Sequence, residues 1–337
     1  MNGAAASLAP AALHAGVLDI DAEAEATRIA QRLRQWLAGP LRRRGYVIAM
    51  SGGVDSSVCA ALCVRAVGPS RVFALMLPER ESADTSLTRA RDLAQRLGID
   101  YRVEDIGPSL EALGCYRRRD EAIRVVFPGY GDGWKSKITI RGGRDGGFNY
   151  FSLVVQDPAG GRHEARLPAR EYLGIVAASN FKQRVRKSVE YHHADRLHFA
   201  TIGTPNRLEY DQGFFVKNGD GSADAKPIAH LYKTQVYALA RFLGIPQEIR
   251  EAAPTTDTYT LSQGQDEFYF ALSHERMDVA LWAYSHGVHA SELGRFLGMP
   301  EESAAFVYRD IEAKRAATRY LHEPPLLVEP VFDAAGA

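Results

Sequence analysis

Apolar positions along the chain alternate between helical and strand spacing, and the alternation is regular enough to predict a fold. Asp21 to Leu37 places Ile29, Leu33, Trp36 and Leu37 at helical intervals, with acidic residues in the first turns where a helix dipole favours them. Gly45-Tyr-Val-Ile-Ala-Met50 is a short apolar run of strand type. SGGVDSS follows at 51–57, and Val58 to Val67 is apolar nearly all round, as expected of a buried helix. The unit then repeats. Arg71 to Leu77 predicts a strand, Leu87 to Leu97 a helix stopped by Gly98, and Asp100 to Ile106 a third strand. Further on, Ala178 to His193 predicts a basic helix, Leu197 to Ile202 a strand, and Thr234 to Leu243 a helix closed by Gly244 with Pro246 beyond. Such alternation implies a doubly wound parallel sheet with helices on both faces.

Two regions depart from this pattern. From Arg117 to Pro168 the chain is rich in Gly, Arg and aromatics. Lys137–Arg141, Phe148–Gln156 and Arg162–Leu167 have strand character, separated by the turn sequences GGRDGG and DPAGG, so an antiparallel β-meander inserted into the α/β domain is expected over 117–168. Residues 266–322 are expected to be mostly helical. Residues 1–18 are expected to form a flexible tail, and 19–330 a single domain. No internal repeat is visible.

Composition narrows the function. The 337 residues carry 41 basic and 41 acidic side chains, so no net charge draws the chain toward nucleic acid or an anionic membrane. No apolar run approaches the ~20 residues of a membrane span, and the first residues lack a secretory pattern. Three cysteines, Cys59, Cys63 and Cys115, make no disulfide framework, and Cys59 and Cys63 are expected to be buried packing residues. The expected location is the cytoplasm. His192-His193 and the runs Arg42–Arg44 and Arg117–Arg119 are expected on solvated faces. Gly129-Tyr-Gly131-Asp-Gly133 is expected to be a loop, because no strand-to-helix context follows it.

The chemistry is concentrated in Ser51-Gly-Gly-Val-Asp-Ser-Ser57. Gly52 and Gly53 let the backbone approach an anion, Ser51, Ser56 and Ser57 add hydroxyls, and the following helix points its positive end at the same place. Asp55 would repel phosphate directly but suits a Mg²⁺ ion that bridges to phosphate oxygens. The helix start has no lysine, which excludes a Walker A loop.

SGGxDS resembles the PP-loop of the N-type ATP pyrophosphatases, which cleave ATP between the α and β phosphates and make an adenylate. Residues 203–235, GTPNRLEYDQGFFVKNGDGSADAKPIAHLYKTQ, are similar to the pattern of the ammonia-dependent NAD synthetases, as are Asn180-Phe-Lys-Gln-Arg184 and Pro254-Thr255-Thr256-Asp257. The resemblance covers roughly 20–105 and 175–270. It implies an adenine nucleotide alpha hydrolase-like fold and an acyl-adenylate route from deamido-NAD (nicotinic acid adenine dinucleotide) and ammonia to NAD, with AMP and pyrophosphate released. By resemblance, Asp55 and Glu209 hold Mg²⁺ and Lys233 contacts ATP, making these three the catalytic set. ATP contacts extend over Ser51, Gly52, Gly53, Val54, Asp55, Ser56 and Ser57 to Thr204, Lys233 and Thr255. Asn180, Arg184, Lys217, Asp224 and Lys314 are matched to the acid substrate, and a homodimer is implied. The family tends to end with a His-Lys pair where this chain has Ala313-Lys314. That departure and the insertion leave open a PP-loop amide synthetase acting on another carboxylic acid, and beyond it a non-catalytic nucleotide-binding relative. No glutaminase unit is visible, so nitrogen is expected from free ammonia or a separate partner.

Overall fold

A computed structural model of the chain describes residues 12–141, 150–252, 261, 272–329 and 331. The central sheet is parallel, built from β1 (Tyr46–Ala49), β2 (Val72–Met76), β3 (Asp100–Val103) and β7 (Ala200–Ile202) in the order β3-β2-β1-β7. Tyr46 lies opposite both Val72 and Ala200. Alternate side chains on these strands go to opposite faces. Tyr46, Ile48, Ala74 and Met76 enter a core with α1 (Ala22–Ala38), α2 (Val54–Val67), α3 (Asp84–Leu97) and α8 (Lys233–Phe242). Val47, Phe73 and Leu75 pack on the other side against α4 (Gly107–Ala112), α5 (Cys115–Val126) and α6 (Ala169–Leu197). The doubly wound sheet expected from the sequence is therefore present. Cys59 and Cys63 are buried packing residues on α2, free of disulfides, as expected.

Strand order reverses at β1, with β2 on one side and β7 on the other. In open α/β sheets the crevice outside the carboxyl ends at such a point is where ligands bind. The SGGVDSS loop follows β1, and Gly203-Thr204 follows β7.

The inserted region contains β4 (Lys135–Arg141), β5 (Tyr150–Gln156) and β6 (Arg162–Arg166), an antiparallel meander in which Ile138 faces Leu153 and Ile140 faces Phe151. The expectation for 117–168 needs one correction: its first ten residues belong to helix α5. In the same way α6 begins at Ala169, nine residues before the expected start. α5 and α6 form an antiparallel pair, with Cys115 Sγ donating to Ala178 O at 3.2 Å and a Cβ at Gly174 falling 3.3 Å from Ala122 Cβ. Gly174 weakens the local helix propensity but permits this close crossing. Ile123, Ile138, Leu153, Val155 and Ile175 join the meander to both helices.

Two surface expectations also change. His193 is fully buried, stacked on Phe73 with its Nε2 2.8 Å from Glu104, whereas His192 is exposed. Arg119 is buried and paired with Glu81 at 2.5 Å and Asp120 at 2.7 Å. Gly129–Gly133 is a loop.

The C-terminal part is helical, comprising α10 (His274–Ser285), α11 (Ala290–Leu297) and α12 (Glu301–His322). Its core of Met277, Leu281, Leu293, Val307 and Ile311 includes Leu208 and Tyr232. The five-residue α7 (Arg207–Asp211) and the entry to α8 thus tie it to the sheet domain. A short helix α9 (Gln247–Arg250) follows α8. Among the described residues no helix is long and apolar enough to cross a membrane.

Candidate active site

The loop after β1 is shaped by its glycines. Gly52 has φ of +80°, and a Cβ there would lie 2.2 Å from Ser86 O, so both its conformation and its surroundings require glycine. Gly53 is the N-cap of α2, and its carbonyl accepts from Ser56 Oγ at 3.1 Å and Ser57 Oγ at 2.8 Å. Ser51 Oγ accepts from Gly53 N at 3.3 Å and lies 3.2 Å from Ser56 Oγ. Ser57 is fully buried and braces the loop from beneath. The amino end of the 14-residue α2 therefore opens toward the crevice, a setting that favours anions.

Asp55, in the first turn of α2, forms an ion pair with Lys233, the first residue of α8. Lys233 is only 3% exposed. Burial pulls its pKa down, but attraction to Asp55 and Glu209 outweighs burial, and the group is held above its ordinary value. Asn206 links the two carboxylates. Its Oδ1 accepts from Glu209 N at 3.2 Å, its own N–H donates to Glu209 Oε2 at 3.1 Å, and its Nδ2 donates to Asp55 Oδ1 at 3.3 Å. This is a capping box on α7 that also reaches the PP-loop. Asn206 was not singled out from the sequence, although the N-x-x-E spacing of 206–209 is the readable signal of such a box.

Ser51 to Ser56, Thr204, Glu209, Lys233, Asn180 and Lys314 all line one cavity of about 820 Å³. The structure thus brings together residues that lie more than 250 positions apart in the chain. Its wall also includes groups the sequence reading did not select. Lys187 Nζ donates to Glu190 Oε2 at 2.7 Å, and burial holds Glu190 above the usual carboxylate range despite that partner. Burial likewise raises Asp220, which accepts from Val216 N at 2.8 Å. Of the residues that were selected, Lys314 is lowered by burial against the pull of Asp310 at 2.6 Å. Lys182 lies beneath Glu79 and Glu81, at 3.0 and 2.5 Å.

Four matched residues stand outside the cavity wall. Ser57 has the bracing role described above. Arg184 is exposed, its Nε donating to Lys217 O at 3.3 Å. Lys217 Nζ donates to Tyr320 O at 2.6 Å and Glu323 O at 3.0 Å, closing the carboxyl end of α12. Asp224 Oδ2 accepts from Thr201 N at 2.7 Å, fixing its loop to β7. Thr255 lies outside the described residues.

The sequence profile of the NAD synthase family matches residues 27–124 and 164–321, which carry Ser51 to Ser56, Asn180, Thr204, Glu209, Lys233 and Lys314 of the cavity. The chain belongs to this family. An NH(3)-dependent NAD(+) synthetase of Rhizobium meliloti (strain 1021) is 58% identical over 320 residues, 95% of this chain and 96% of that protein. Among solved structures, the NH3-dependent NAD synthetase of Campylobacter jejuni superposes with a TM-score of 0.61 at 19% identity, covering 92% of this chain and 100% of the other. NMN synthetase from Francisella tularensis also gives 0.61, at 21% identity, covering 93% and 100%. At these identities the two structures speak for the NAD synthetase fold alone. The family profile passes over 125–163, which contains the whole of β4 and β5.

Proposed function

We infer that the chain makes NAD from deamido-NAD and ammonia, driven by ATP. The observation that carries this reading is the constellation of Asp55, Asn206, Glu209 and Lys233 at the sheet's switch point, inside a chain that matches the NAD synthase family. A carboxylate oxygen of the acid attacks the α-phosphorus of ATP, the α–β bridge breaks, and pyrophosphate leaves. Ammonia then adds at the acyl carbon, the bond to AMP breaks, and a proton is lost as the amide forms. Phosphate charge must be held while this happens and water kept out. The amides at the start of α2 and the ammonium of Lys233 supply positive potential, and the serines of the loop supply hydrogen bonds.

The donor set suits Mg²⁺. That ion is commonly bound through one or two carboxylates plus substrate phosphates rather than by an all-protein cage. Asp55 and Glu209, linked through Asn206, are such a pair, and no cluster of three or more acidic, His or Cys ligands occurs among the described residues. Bound there, the ion would neutralise charge on the phosphates.

Asn180 and Lys314 reach the cavity from α6 and α12, and both are proposed contacts for the acid. The family match carries the proposed roles of Thr204 and Thr255 toward ATP and of Arg184, Lys217 and Asp224 toward the acid. A homodimer covering the outward face of α6, where Arg184 is exposed, is part of the same reading. Cytoplasmic location is proposed, supported by three buried free cysteines.

The deciding experiment supplies the protein with Mg-ATP, ammonium and deamido-NAD, beside a panel of other carboxylic acids, and follows all products. AMP, pyrophosphate and NAD in equal amounts are expected. ADP as the main nucleotide, or amide formation only with another acid, would overturn the assignment.

A further inference from the structure

The cavity has one wall that the family profile does not contain. Ile140 of β4 and Tyr150 and Phe151 of β5 line it, and all three lie in or beside the passage 125–163 that the profile passes over. Phe151 is stacked on Tyr172 of α6, with ring centroids 4.0 Å apart and planes 13° from parallel. Val176, one turn along α6, completes an apolar surface. The Cζ of Arg166 on β6 lies 5.5 Å from the Tyr150 ring centroid. The 58% identical relative aligns over 95% of this chain, so the alignment extends through this passage.

Its position in the cavity suggests what it touches. Arg186 Nε donates to Leu77 O at 3.3 Å, which sets the level of α6 beside the end of β2. Tyr172 stands fourteen residues earlier on the same helix, roughly 20 Å further along at 1.5 Å per residue. The lining runs continuously down one face of the helix through Val176, Ser179, Asn180, Gln183 and Arg186. Ser179, midway along this face, has a buried hydroxyl with no hydrogen-bond partner among the described residues. A ligand that spans this length has an ionic end near the PP-loop and an apolar, flat end at the meander. Stacked aromatic side chains recognise flat rings, not phosphates.

We propose that the inserted meander is a specificity wall, in which Phe151, held by Tyr172, seats the heteroaromatic base at the far end of the dinucleotide acid. This rests on the deamido-NAD reading above. The far base belongs to the half of the acid that takes no part in bond making, so its contacts set which acid is admitted and leave the chemistry to the PP-loop. A mononucleotide acid with the same reacting carboxyl is too short to touch the wall.

The test compares wild type, Phe151→Ala, Phe151→Tyr and Ser179→Ala in steady-state assays with saturating ammonium. Loss of a stacked ring should raise KM for deamido-NAD about 10-fold in Phe151→Ala, a scale typical of an apolar contact at a specificity pocket. KM for ATP and turnover of nicotinic acid mononucleotide should stay within about 2-fold. Phe151→Tyr keeps a ring and should restore the wild-type ratio. Ser179→Ala should raise KM for deamido-NAD without changing the melting temperature. Wild-type turnover of deamido-NAD tests the parent reading separately from these ratios. Unchanged kinetics in Phe151→Ala, a rise in KM for ATP instead, or an equal loss with both acids and a lowered melting temperature would each overturn the wall and leave the meander as scaffolding.

Discussion

Lys233→Met is the most incisive perturbation of the site, because it removes one charge and little volume. Lys233 neutralises Asp55 directly and Glu209 at longer range. The variant leaves two carboxylates with Asn206 as their shared donor. Breaking a fully buried ion pair costs about 3–5 kcal/mol. The Asp55 side chain retains 18% of its exposure, so water screens part of that, and about 2 kcal/mol is expected. For a chain of this size about 1 kcal/mol corresponds to roughly 2 °C in melting temperature, so a fall of about 4 °C should be seen by calorimetry. Millimolar Mg²⁺ without ATP should restore part of the loss in Lys233→Met, since the ion can take the place of the lost ammonium beside Asp55, and none in Lys233→Met/Asp55→Asn. AMP release should drop at least ~100-fold, the scale for losing one charge-stabilising group. An Asp55→Asn single variant should be comparably inactive. Wild-type AMP release from either single variant, or a melting temperature of Lys233→Met indifferent to Mg²⁺, would refute the reasoning.

Two further outcomes follow from other parts of the molecule. Burial pushes Asp278, beneath the start of α8, up to about 6 from the usual 3.8. A carboxyl that holds its proton longer in the folded state favours folding fully below pH ~4, and that contribution is lost as pH rises through about 6. Asp278→Asn should therefore melt a few degrees above wild type at pH 8 and converge with it toward pH 4, and a gap independent of pH would contradict the account. Light scattering at micromolar concentration should give the mass of a dimer, and a fully active monomer would remove the proposed interface on α6.

Most of the sheet and the anion loop could be read from sequence because they rest on local chemistry. The loop glycines, the periodicity of α1 and α3 and the apolar strands each constrain their own segment, so β1 and β2 fall within a residue of expectation, whereas β7 begins three residues late because Leu197 closes α6. The start of α6 could not be read, since Gly174 argues against a helix until α5 is known to cross there. Arg119 looked like one of three solvated arginines, but its acceptor Glu81 belongs to the loop after β2 and the neighbouring Lys182 to α6. Glu79 completes this cluster, taking Tyr116 Oη at 2.7 Å and Lys182 Nζ at 3.0 Å. No spacing rule joins residues brought together from three elements. The same holds for His193, whose partners Phe73 and Glu104 lie on and just after sheet strands.

The place of the insertion follows from the direction of the helices around it. α6 ends two residues before β7 begins, at the amino edge of the sheet, where Arg44 N donates to His198 O just ahead of β1. Its first residues must therefore rise past the carboxyl edge, the side on which the PP-loop opens. α5 packs antiparallel to it, through Cys115 to Ala178 and Ala122 to Gly174, so α5 ends where α6 begins. Any segment added between these helices emerges above the crevice and leaves the parallel sheet undisturbed. The residues that fill this gap can change without altering Asp55, Asn206, Glu209 or Lys233, which stand on β1–α2, α7 and α8. On the proposed reading, a fold arranged in this way separates the residues that activate the acid from the surface that chooses it. That separation is why Phe151 is expected to act on KM for the dinucleotide and Lys233 on turnover.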